Sequence, residues 1–116
     1  MTLAAEIVTG LVALLHLYFL VLEMFLWTKP YGRRVFGLTP EFAAASRALA
    51  ANQGLYNGFL AAGLAWGLAT ADRPVMIFFL GCVVAAGIFG GFTASRKILA
   101  VQALPGAIAL GLNLAL

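Results

Sequence analysis

Seven polar side chains stand out because they interrupt apolar stretches: His16, Glu23, Asn52, Asn57, Gln53, Gln102 and Asn113. A carboxylate and an imidazole can pass a proton between them, and carboxamides can orient a ligand by donating and accepting hydrogen bonds. His16, Glu23 and Trp27 are spaced by seven and four residues. At about 100° per residue Glu23 and Trp27 each fall within roughly 20° of His16 on a helix. Asn52, Gln53, Tyr56 and Asn57 span an arc of roughly 140° by the same arithmetic. The expected chemistry is a polar pocket in which Glu23 and His16 are the candidate catalytic, proton-transfer groups. Asn52, Gln53, Tyr56, Asn57, Gln102 and Arg47 are the candidate ligand-binding residues. The depth of each along its helix puts Asn52 and Gln53 level with Glu23, and Asn57 level with His16. A plainer reading stands beside this one. Amides often join helices by hydrogen bonds, and Glu23 can pair with Arg47, Arg33 or Arg34.

The elements that must hold these residues are apolar helices. The chain has 116 residues, 64% hydrophobic and 9% charged, and its mean hydropathy is +1.04. A soluble domain carries roughly 25% charged residues. Four stretches, 3–27, 42–69, 75–92 and 98–116, are long enough to be read as membrane spans. The expected fold is all-α, an antiparallel bundle of four transmembrane helices in a single domain, 1–116. Its first apolar run, Leu3–Trp27, is longer than the core of a secretion signal and is read as a retained span.

Loops follow from turn chemistry. Thr28–Thr39 reads as a polar loop. Thr39, Pro40 and Glu41 then supply an N-cap, a first-turn proline and an acidic residue at the positive end of a helix. Thr70–Pro74 ends the second span and opens the third. Pro105 should kink the fourth and free a carbonyl near Gln102. The loops after spans one and three carry Lys29, Arg33, Arg34, Arg96 and Lys97, with Arg47 close by. The opposite side carries Arg73 alone. This bias places the basic loops in the cytoplasm and both termini outside, in the inner (plasma) membrane. The net charge of +3 therefore reads as topology, with no nucleic-acid partner. One cysteine, Cys82, and one histidine cannot form a metal site within the chain.

Small residues recur every fourth position at Gly54, Gly58 and Ala62, at Gly87 and Gly91, and at Ala103, Ala107, Gly111 and Ala115. Such faces permit close helix packing, and three of them point to a homo-oligomer, a trimer or a dimer. The other expected partners are the lipid bilayer and a lipid or small-molecule ligand.

The runs Glu23–Trp27, Gly32–Phe42 and Ala51–Ala61 resemble those of a small bacterial integral-membrane family known only as a domain of unknown function. The likeness covers nearly the whole chain and implies a membrane protein without implying an activity. In plan, the chain is also similar to the membrane-associated eicosanoid and glutathione metabolism proteins. Four spans, a basic first loop, Arg47 before Asn52, the Arg96-Lys97 turn and Gln102–Pro105 carry that likeness. It implies a trimer with glutathione as cofactor, Asn52 in a binding role and Arg96 near a catalytic arginine. The family pattern places Arg four before the Asn and Glu three after it, where this chain has Ala48 and Leu55. Three functions follow as expectations. One is an enzyme or binding protein for a small lipophilic or amphipathic molecule near the cytoplasmic face. The others are a non-catalytic, self-associating membrane component, and an oligomeric transporter or channel using Glu23 and His16.

Overall fold

A computed structural model describes residues 2–115 and has the expected all-α fold, with no strand among them. Leu116, the last residue of the predicted fourth span, and Met1 lie outside the described residues. The helices are α1 (Leu3–Met24), α2 (Pro30–Phe36), α3 (Pro40–Ala45), α4 (Arg47–Ala69), α5 (Arg73–Thr93) and α6 (Leu104–Leu114). A π-helical turn at Leu99–Ala103 runs directly into α6.

Two helices, α1 and α5, are long and apolar enough to cross a membrane, and Leu99–Leu114 is apolar but shorter. Among the described residues, two of the four expected spans therefore have the length and composition to cross a membrane. The second stretch has the length, but Arg47, Asn52, Gln53 and Asn57 dilute its hydropathy. It is also two helices rather than one, because Ser46 leaves the α-helical range (φ −100°, ψ 7°) between α3 and α4. The fourth is interrupted by its proline. Pro105 has no N–H, and the ladder ahead of it takes up the wider register, with Leu104 N–H donating to Leu99 O. The expected loop at 28–39 holds α2. Pro30 opens it, and Gly37 closes it in the left-handed conformation (φ 66°), its N–H donating to Arg33 O.

The chain forms two compact units, Leu15–Phe59 and the pair of segments Met1–Leu14 with Leu60–Leu116. In the two-segment unit, Val12, Leu64, Leu80, Val83 and Ala109 make one buried apolar cluster. Four helices, α1, α4, α5 and α6, contribute to it. Beside it, buried Asn113 donates through Nδ2 to Thr9 Oγ1 (3.1 Å) and to Ala109 O (2.8 Å). Asp72 caps α5 by accepting from Val75 N–H. Arg73 donates from Nε to Asn113 O (2.7 Å) and from Nη2 to Leu114 O (3.2 Å). A cation thus meets the carbonyls that α6 leaves unpaired at its negative end.

In the Leu15–Phe59 unit, the second half of α1 packs on the first half of α4. Thr39 caps α3 as its position in the sequence predicts, accepting from Phe42 N–H at 3.1 Å. Trp27 Nε1 donates to Ser46 Oγ (3.0 Å), and its ring lies 5.0 Å from that of Phe36. The hydroxyls of Tyr18 and Tyr31 are 2.6 Å apart. These contacts tie α2 and the α3–α4 junction to the end of α1.

The turn after α4 carries a measurable cost. Asp72 N–H donates to Gly67 O and Ala71 N–H to Leu68 O, the closing pattern of a helix whose next residue is left-handed. That residue is Ala71, at φ 51°, where an L side chain is disfavoured by about 1–2 kcal/mol. Ala71→Gly is expected to raise the unfolding free energy by about 1 kcal/mol, read as a higher midpoint in thermal unfolding of the purified protein.

Candidate functional site

The α1 helix buries three polar side chains beside Ala5, Val12 and Leu22. Thr9, His16 and Glu23 follow one another at intervals of seven and are all buried. Seven residues are nearly two helical turns, so the three share one face. The opposite side exposes large apolar residues, with Leu11 at 59%, Leu14 at 61% and Phe25 at 64% of their surface, against 0% for His16 and 9% for Glu23. The His16 ring meets that of Phe19 edge-on, with centroids 5.4 Å apart.

Glu23 reaches α4 because α4 offers no side chain where the two helices touch. A Cβ on Gly54 would sit 2.7 Å from Met24 Cγ, 3.1 Å from Glu23 Cβ and 3.2 Å from Leu20 O, and one on Gly58 would sit 2.6 Å from Leu20 Cδ1. The close approach brings Asn57, three residues past Gly54, onto the carboxylate, and its Nδ2 donates to Glu23 Oε1 at 2.5 Å. Gly54 is thus the positioning residue and Asn57 the partner. Asn57 engages one of the two carboxylate oxygens. A carboxylate can accept several hydrogen bonds, so this group retains capacity.

Of the residues expected in one pocket, the structure brings together Glu23 and Asn57. His16 shares the buried face of α1. Asn52, Gln53, Tyr56 and Arg47 are exposed, and Tyr56 stacks at a tilt near Phe59. Gln102 lies half-buried in the π turn of the other unit. The depth estimate is corrected by one turn, since Asn57, rather than Asn52 or Gln53, meets Glu23. It is an amide, and none of Arg47, Arg33 or Arg34, that meets it. Thr9 was not singled out from sequence, although its spacing to His16 and Glu23 carries the signal. Tyr18, Tyr31, Trp27 and Ser46 frame the same unit, and their pairings have no sequence signature. Among the described residues no three of His, Cys, Asp and Glu gather to hold a metal ion.

An all-helical chain that buries a few polar side chains beside an apolar core and exposes many large apolar ones is the class that these observations define. Residues 10–114 match the family described as "Protein of unknown function (DUF1304)", and the chain belongs to that family. It is 30% identical over 106 residues to the uncharacterized protein YpaA of Lactococcus lactis subsp. lactis (strain IL1403), with 88% of this chain and 89% of that protein covered. No solved structure matches. Neither match connects the chain to the eicosanoid and glutathione metabolism proteins.

A buried carboxylate that loses its hydrogen-bond donor costs more than a pair removed together. Asn57→Leu is expected to destabilise the protein by about 1–3 kcal/mol. Adding Glu23→Leu to it should recover a large part of that loss. Chemical denaturation of the two single variants and the double variant measures the coupling.

Proposed function

We propose that this chain is a multi-pass membrane protein that binds a small lipophilic or amphipathic molecule at Glu23, beside Asn57, near the cytoplasmic face. The observation that carries the reading is the second half of α1, which buries His16 and Glu23 while Leu11, Leu14, Leu17 and, just past its end, Phe25 are exposed. Water disfavours that arrangement and a hydrocarbon surround favours it. Helix α5 supports the same reading with Phe89 72% and Phe92 78% exposed. Helix α4 and the stretch Leu99–Leu114 complete four spans in this reading. At 1.5 Å per residue they reach about 35 Å and about 24 Å, against a core of roughly 30 Å, so the last one requires local thinning of the bilayer. The basic residues flanking α2 and those at Arg96-Lys97 then face the cytoplasm, and both termini lie outside.

Within such a bundle Glu23 is the strongest acceptor, and its second oxygen suits a ligand bearing an amine or a hydroxyl. The apolar body of the ligand would lie in the membrane. The protein is expected to stay in the membrane pellet after carbonate extraction. Organic extracts of the purified protein are expected to contain a molecule that is depleted when Glu23→Gln or Asn57→Ala is purified in the same way. Identical extracts from all three would overturn the binding reading.

A second reading, self-association, is favoured by one face of α6. Ala107, Gly111 and Ala115 are exposed, and nothing lies within 4 Å of a Cβ built on Gly111. By contrast, Gly54, Gly58 and Gly87 are already occupied within the chain. If α6 pairs with a second copy, Gly111→Leu should reduce the mass measured by light scattering in detergent from an oligomer to a monomer. A wild-type monomer would remove this reading.

A further inference from the structure

We propose that the segment from Lys29 to Arg47 is a docking surface for anionic phospholipid headgroups, separate from the Glu23 site. The segment holds four cations, Lys29, Arg33, Arg34 and Arg47, against one carboxylate, Glu41. Lys29, Arg34, Arg47 and Glu41 are all exposed. Arg33 is half-buried, and its Nε is shielded from solvent without a hydrogen-bond acceptor in the protein. The other carboxylate of the same unit, Glu23, is engaged by Asn57. The positive charge of this surface is therefore not neutralised from within the unit.

The occupant is set by what stands beside the charge. Tyr31, Val35, Phe36 and Phe42 are exposed in the same segment. Tyr31 and Val35 are four apart, and so lie on one side of α2. A free phosphate would explain the cations but not these apolar side chains. A phospholipid supplies an anion for the first and acyl chains for the second. The segment is also held in place. The Tyr18–Tyr31 hydroxyl pair fastens α2 to α1, and Trp27 joins Phe36 and Ser46. A fixed set of cations loses less freedom on binding than a flexible loop would.

The test uses the full chain in neutral detergent, with native mass spectrometry and thermal unfolding as readouts. The probes are phosphatidylglycerol, phosphatidylcholine with the same acyl chains, and inorganic phosphate alone. Phosphatidylglycerol is expected to bind and to raise the unfolding temperature, and the effect should fall as salt rises. Phosphatidylcholine and inorganic phosphate should do neither. Each charge removed is expected to weaken binding by about fivefold, first in Arg33→Gln with Arg34→Gln. Lys29→Gln with Arg47→Gln changes only exposed side chains, and provides the same reading if the first pair fails to fold. Arg96→Gln with Lys97→Gln should leave binding unchanged. Equal binding of the two lipids would overturn the proposal. So would full stabilisation by phosphate alone, or a loss as large in the Arg96/Lys97 variant as in the others.

Discussion

A carboxylate held between two helices constrains the whole of the Leu15–Phe59 unit. Glu23 is buried at the end of α1, and burial of such a group is tolerated only when polar atoms meet it. The donor is the Asn57 amide. The donor can arrive only because Gly54 and Gly58 let α4 lie against Leu20 and Met24. Size and polarity are therefore coupled along one face of α4: two residues without side chains set the distance, and Asn57 between them makes the bond. The Trp27–Ser46 and Tyr18–Tyr31 contacts close the connection between the helices on the same side.

The other unit manages its polar atoms by a different device. Its buried amide, Asn113, joins α6 to Thr9 of α1, and Arg73 from the start of α5 covers the last carbonyls of α6. Polar groups are used at the inner faces and ends of helices, while Phe78, Phe89 and Phe92 remain on the outside. The membrane reading proposed above takes its force from this inversion. It does not depend on hydropathy alone, which the core helix of a soluble protein can equal.

Some of this architecture is legible in the sequence because it is local. The Thr39 cap, the first-turn proline after it and the disturbance at Pro105 each depend on a few adjacent residues, and each appears in the structure. The polarity of 28–39 predicts a loop, whereas Pro30 and Gly37 mark the two ends of helix α2. The register between α1 and α4 is of another kind. Helical period fixes which residues share a face, but it does not fix how far one helix is slid along its neighbour. That sliding distance follows from the contact at Gly54 and from the connection folded through α2 and α3. It decides that Asn57 meets Glu23 while Asn52 and Gln53 face outward.

The π-helical turn at Leu99–Ala103 has a consequence for everything that follows it. One extra residue in a turn sets the following residues back by about 100° relative to an unbroken α-helix. Ala109 joins the buried cluster with Val12, Leu80 and Val83, and Asn113 finds Thr9, in the phase that this insertion sets. With a regular ladder the same residues would be rotated out of step, and α6 would offer its neighbours a different side. The turn ahead of Pro105 thus sets which side of α6 faces the interior.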